Sequence, residues 1–185
     1  MKKYKFTGET KTIYLPFGTV TLHRIKAVVE FGLVKVGDLG GWIEKEENLS
    51  HEENAWVYGD AEVCGNAKVY GNAKVCGNAK VYGDAEVYGN AWVCGNAWVC
   101  GNAKVFSTDH VLVIGAIGSR NDFTTFFRDK DNEITVKCGC FLGKIDKFLE
   151  KVTQTHKDTK HTLAYRTAVE VAKLQIDLTE KSTRR

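Results

Sequence analysis

The chain has 185 residues, is 43% hydrophobic and carries a formal net charge of +3. That length suits one compact domain or a repeat body with small end modules. So small a charge argues against nucleic acid as a partner. No apolar run approaches a membrane span, and the polar start MKKYKFTGET lacks the apolar stretch of a signal peptide. The six Cys lack the spacing of a disulfide scaffold, so the expectation is free thiols in a reducing bacterial cytoplasm.

Residues 1–37 read as a β cap. KYKFTGETKTIY and TVTLHRIKAVVEF have β-rich composition, with turn signals at Thr7-Gly8 and Pro16-Phe17-Gly18. GDLGGWIEKEENLSHEENAWV follows as an irregular first coil: Ile43 and Leu49 are six apart, but Val57 is eight beyond Leu49, so two residues bulge near His51. Terminal repeats are expected to be atypical because they cap the core.

From Asn54 to Ser107 the chain spells nine hexads of the form Asn/Asp-Ala-x-Val-x-Gly, closing on Ser. Ala and Val stand two apart, so an extended strand points both the same way and turns the residue between them outward. The Gly-Asn or Gly-Asp that follows tolerates a positive φ and permits a corner. Each hexad is thus a short strand plus a corner. A single strand of this kind cannot bury its apolar face, whereas three hexads wound into a triangular coil of 18 residues bury all of it. Nine hexads give three coils, a column roughly 14 Å tall at the strand spacing of a sheet. The irregular coil makes three to four, spanning residues 38–107.

With Val every sixth residue and Ala two before it, the sequence resembles the hexapeptide-repeat, left-handed β-helix proteins. The left hand is implied by that resemblance. The residue after Val departs from the family pattern: it is Tyr, Cys or Phe here.

Residue n should stack on n+18. One face then carries Trp56, Lys74 and Trp92; a second, Glu62, Lys80 and Trp98; the third, Lys68, Glu86 and Lys104, with Tyr88 beside them. A Lys between two Trp suits cation–π contact. Exposed Trp on a flat β surface favours contact with something, so Trp56, Trp92, Trp98 and Tyr88 are candidate interface residues for a homo-oligomer, trimer or dimer.

After the repeat, residues 108–180 read as an α+β module. HVLVIGAI and FTTFFRDKDNEITVKC are strands with a hairpin turn at Asp131-Asn132. Ile145, Phe148, Leu149 and Val152 fit one helix, and Tyr165, Ala168, Val169, Ala172 and Ile176 a second. Residues 181–185 are a basic tail. VGDLGGWIEKEENLS before the repeat and GSRND…CGCFLGKIDKF after it resemble a family of small hexapeptide-repeat proteins of phage and prophage genomes. That resemblance implies fold and genomic context and carries no catalytic residue.

The sequence offers candidates for three chemistries. Acyltransferases that resemble this prism use a general-base His; the regular hexads contain none, and His51 is the candidate. Cys138-Gly-Cys140 is a candidate metal pair that needs further ligands, with His110, His156 and His161 as options, or simply a tight strand-to-helix turn. GCFLGKI is one residue too short for a phosphate loop and has Ile145 where Ser or Thr would hold Mg²⁺. Gly143 and Lys144 at a helix start, with Arg120 and Asn121 in the Gly-rich turn GAIGSRND, form a candidate anion pocket; Arg120 paired with Asp122 or Asp129 is the alternative. No cofactor is implied. The reading is a non-catalytic, phage- or prophage-encoded binding protein that acts in counter-defence on a host protein or a small nucleotide-like anion. An acyltransferase using His51 and a structural assembly protein are the alternatives.

Overall fold

The computed structural model describes residues 1–15 and 18–179. Pro16, Phe17 and the tail from residue 180 onward lie outside the described residues. The fold is mainly β, a parallel β-solenoid of about four turns, as expected of a left-handed β-helix, followed by a sheet and two helices.

The column is built from nine two-residue strands: β4 (Trp56–Val57), β5 (Glu62–Val63), β6 (Lys68–Val69), β7 (Lys74–Val75), β8 (Lys80–Val81), β9 (Glu86–Val87), β10 (Trp92–Val93), β11 (Trp98–Val99) and β12 (Lys104–Val105). They pair in parallel as β4-β7-β10, β5-β8-β11 and β6-β9-β12, so every third hexad lies above its counterpart. All nine repeat Ala and all nine repeat Val are buried. The corner glycines from Gly59 to Gly101 have φ between 59° and 73°, and a Cβ on Gly77 would lie 3.0 Å from the Gly95 nitrogen one coil above. Glycine is therefore needed both for the corner and for the stacking. Asn side chains climb the same corners, Asn54 donating to Asn72 at 2.9 Å and Asn72 to Asn90 at 3.3 Å.

The N-terminal cap continues one face of the column. β1 (Tyr4–Leu15) and β2 (Gly18–Ala27) form an antiparallel hairpin. β2 pairs with β3 (Leu39–Ile43), and β3 runs parallel to β5. Ile43 sits beside Val63, and Leu49 beside Val69, two residues beyond the 18-residue step seen between Cys76 and Cys94. The two extra residues are taken up in the corner at His51–Glu53, where Glu53 has φ 54°. Lys3 holds this corner from beneath.

The chain beyond the column forms an antiparallel sheet of β13 (Val111–Ile117), β14 (Asp122–Arg128), β15 (Ile134–Cys138) and β16 (Phe141–Lys144). β16 was not expected. It makes Cys138-Gly-Cys140 a strand-to-strand turn, with Gly139 at φ 54°, where a strand-to-helix turn was anticipated. Helices α1 (Ile145–His156) and α2 (Lys160–Gln175) pack Phe148, Val152, Tyr165 and Val169 against Phe126 and Val136 on one face of the sheet. The opposite face meets the column, and Phe127 completes the column's own core. Trp98 N–H donates to Thr125 Oγ1 at 3.0 Å, Lys130 N–H donates to Asn102 O at 3.0 Å, and Ala103 bridges Asp129. The module thus closes the last coil over β11 and β12.

Cys76 and Cys94 form a disulfide, which corrects the expectation that all thiols are free. Stacking places their Cα atoms 4.5 Å apart, within the range a disulfide spans. Among the described residues no helix is long and apolar enough to cross a membrane.

Candidate functional site

A charge ladder runs along the face that carries the N-terminal hairpin. Lys11 pairs with Glu62 at 2.8 Å, and Glu62 with Lys80 at 2.9 Å. Burial would raise the Glu62 carboxyl, but hydrogen bonds from the two lysines outweigh it and hold it below the usual carboxylate range. Lys80 Nζ lies 5.4 Å from the ring centre of Trp98, and Lys137 Nζ lies 4.9 Å from it. Signs alternate up the face until Lys137, which has no carboxylate partner among the described residues.

Lys137 is 6% exposed. An ammonium has three donors; here one reaches Gly139 O. The strand alternation of β15 explains its position. Ile134, Val136 and Cys138 face the helices, so Thr135 and Lys137 face the column.

Beside Lys137, at the seam between column and module, lies a cavity of about 270 Å³. Asn96 and Trp98 of the last coil form one wall, and Asp122, Phe123 and Thr125 of β14 the other. Arg120 enters from the turn before β14. That turn is tied by Asn121 N–H to Gly118 O at 3.3 Å. Gly118 has φ 75°, and a Cβ there would fall 1.9 Å from the Tyr165 hydroxyl oxygen. The Arg120 guanidinium lies over Gly139, where a Cβ would come 3.0 Å from Nη1. Two glycines therefore give the guanidinium its place. Arg120 makes no ion pair with Asp122, Asp129 or any other carboxylate among the described residues. The site combines two cations outside any ion pair, one of them buried, with a carboxylate, a hydroxyl, an amide and aromatic walls.

The other anion-pocket candidates stand elsewhere. Gly143 lies in β16 beneath the Phe141 ring. Lys144 pairs with Asp129 and, at 2.5 Å, with Glu133; burial would lower its pKa, and these hydrogen bonds raise it instead. Asp129 also accepts the Thr135 hydroxyl at 2.6 Å. Asn121, at φ 50°, shapes the turn without lining the cavity.

The interface candidates fall on separate faces. Trp56 is 1% exposed, with Tyr4 and Phe31 edge-on at ring distances of 6.1 and 5.3 Å. The N-terminal cap covers it, so it offers no surface to a partner. Trp92 is 51% exposed, with Lys74 Nζ 4.5 Å from its ring centre. Trp98 belongs to the seam. Tyr88 stacks on Tyr70 at 4.8 Å and neighbours Phe106 at 5.2 Å.

His51 is built into the cap. Its ring stacks on Tyr4 at 4.2 Å, Nδ1 accepts the Lys3 N–H at 3.2 Å, and Nε2 stands 3.9 Å from Glu46. Burial lowers its pKa, with Glu46 opposing. Cys138 sits against the Thr124 hydroxyl at 3.3 Å and the Tyr165 hydroxyl at 3.8 Å, while Cys140 is exposed. Neither joins a group of three or more metal-ligating side chains among the described residues. His156 and His161 lie beside each other at 5.8 Å. His110 is fully buried at the seam, accepting the Phe106 N–H at Nδ1 and meeting Arg128 Nη1 at 3.4 Å.

Lys137, Phe123, Thr125 and Asn96 were not singled out from the sequence, and Asp122 only as an ion-pair partner for Arg120. The alternation Ile134-Thr135-Val136-Lys137 was the available signal, because it turns a Lys away from the helices toward the column.

No protein-family model matches the chain. It is similar to the uncharacterized acetyltransferase YdcK of Escherichia coli (strain K12), 39% identical over an alignment of 62 residues that covers 31% of this chain and 19% of that protein. The chain therefore spans less than a fifth of this relative's length. Together with the β-solenoid, the likeness points to the hexapeptide-repeat proteins.

Proposed function

We propose that the chain is a non-catalytic, phage-encoded binding protein that captures a small nucleotide-like anion in the seam cavity. Sequestration of such a ligand inside the bacterial host would serve counter-defence. The observation that carries this reading is Lys137, a buried cation with donors left over and no carboxylate in ion-pair contact among the described residues. Such a charge is costly unless something of opposite sign meets it, and Arg120 stands beside it as a second donor fork. About 270 Å³ is just below the usual range of ligand pockets, which starts at about 300 Å³. It matches a mononucleotide better than a coenzyme A. Calorimetry with inorganic phosphate, ribose 5-phosphate and mononucleotides tests the reading. Binding should weaken at least tenfold in Lys137→Met and in Arg120→Ala. A wild-type protein that binds none of these anions removes it.

The name of the E. coli relative favours a second reading, acyl transfer with His51 as base. Against it, Nδ1 is already occupied by the Lys3 N–H and the ring is stacked on Tyr4. Binding of coenzyme A that His51→Ala abolishes would decide for this alternative.

A further inference from the structure

The seam cavity holds a carboxylate beside its two cations. Asp122 Oδ1 accepts the backbone N–H of Phe123 at 2.7 Å. Asp122 makes no ion pair with Arg120 or Lys137, although all three line one cavity. Opposite charges that share a space this small attract one another strongly. Here Arg120 is laid on Gly139, Lys137 is turned to the Gly139 carbonyl, and Asp122 is tied to its own backbone. Separate anchors hold the cations and the carboxylate out of ion-pair contact. That arrangement suits a ligand that is itself two-ended.

The aromatic walls differ in what they offer. Trp98 already has Lys80 and Lys137 over its ring. Phe123 is 39% exposed and rests on Gly115, where a Cβ would come 2.5 Å from the ring. Phe123 is thus the held, accessible ring for stacking.

Resting on the anion-capture reading, we propose that this site selects a small anion whose flat ring bears an amino group. The anionic end lies on Arg120 and Lys137, the ring lies on Phe123, and the amino N–H donates to Asp122. Asp and Glu accept from the amino group of cytosine, whereas a ring oxygen at the same place would set acceptor against acceptor. Asp122 therefore discriminates amino from oxo rings of equal size.

Two ligand pairs isolate that contact: CMP against UMP, and AMP against IMP. Each is titrated calorimetrically into the full-length wild type and Asp122→Asn, with ribose 5-phosphate as the ringless control. The expected result is a preference of about tenfold or more for the amino member of at least one pair in the wild type. In Asp122→Asn the preference should fall to within about twofold, while ribose 5-phosphate binds at least as tightly as before, because a negative charge has left the cavity. Asp122 is exposed, and an unchanged circular dichroism spectrum confirms the variant's fold. Equal affinities in both pairs, with ribose 5-phosphate bound, would overturn the amino selection and leave anion capture standing. A preference that survives Asp122→Asn would also overturn it. Absence of binding by every phosphate would overturn both readings.

Discussion

Lys3 and Lys137 are buried lysines at opposite ends of one column, and the protein treats them differently. Lys3 is 3% exposed and donates to the carbonyls of Glu52, Glu53 and Ala55, at 3.2, 3.4 and 2.7 Å, with Phe31 at 4.8 Å. Its donors are filled by backbone, and burial pushes its pKa down to about 8, with Glu53 opposing. Lys137 reaches one carbonyl and an indole face. One end of the column closes by prolonging its own sheet and fills the donors of its buried lysine, although Arg24 Nε, Trp42 Nε1 and His51 Nε2 stay buried there without a hydrogen-bond partner among the described residues. The other closes by laying a separate sheet across the last coil, and that seam keeps unneutralised charge. A buried lysine is thus structural where carbonyls complete it and a candidate for binding where they do not.

The largest effect expected from this contrast is on stability. Lys3→Met leaves three corner carbonyls without their donor and should cost about 3 kcal/mol in urea unfolding. Lys137→Met exchanges a poorly satisfied charge for an apolar chain and should stay within about 1 kcal/mol of wild type, while losing anion binding. Equal losses in the two variants would erase the distinction between the ends.

The seam also predicts a pH dependence. His110 is held at a pKa of about 4, by burial first and the Arg128 charge second, against 6.5 for the ordinary group. Between those values the unfolded chain binds more protons, so stability rises with pH across the window and is lost as pH falls from 6.5 toward 4. The effect should be on the order of 2 kcal/mol by pH 4.5. Burial lowers His51 as well, so His110→Gln should shrink the slope without abolishing it. An unchanged slope in that variant would show that His110 does not titrate there.

The smallest effect is expected at Trp92, which packs on Lys74 and otherwise faces solvent. Trp92→Ser should leave stability within about 0.5 kcal/mol. If this face associates with a second copy, light scattering will show a smaller assembly. An unchanged assembly excludes the face.

The column was legible because Ala and Val repeat every six residues, and strand geometry converts that spacing into an inside and an outside. The irregular corner at His51 was legible from the same count, since Val57 lies eight residues beyond Leu49. Three things were less accessible. Trp56 occupies the same repeat position as Trp92, and only the fold brings Tyr4 and Phe31 over the one and not the other. Phe141–Lys144 is too short for a periodic signal, so its strand passed for part of a turn. In the candidate site, Arg120 was recognised by its Gly-rich surroundings, but nothing in spacing connects Trp98, Arg120 and Lys137. Their meeting depends on how the module lies on the column, a tertiary property that no local pattern encodes.

The hairpin β1–β2 enters the column through the same sheet whose last strand, β11, carries Trp98 to the seam. Arm and cavity consequently share one azimuth on the prism. Excision of a whole coil would shorten the body by about 4.8 Å and keep them in phase, whereas removal of a single hexad would swing one a third of a revolution from the other.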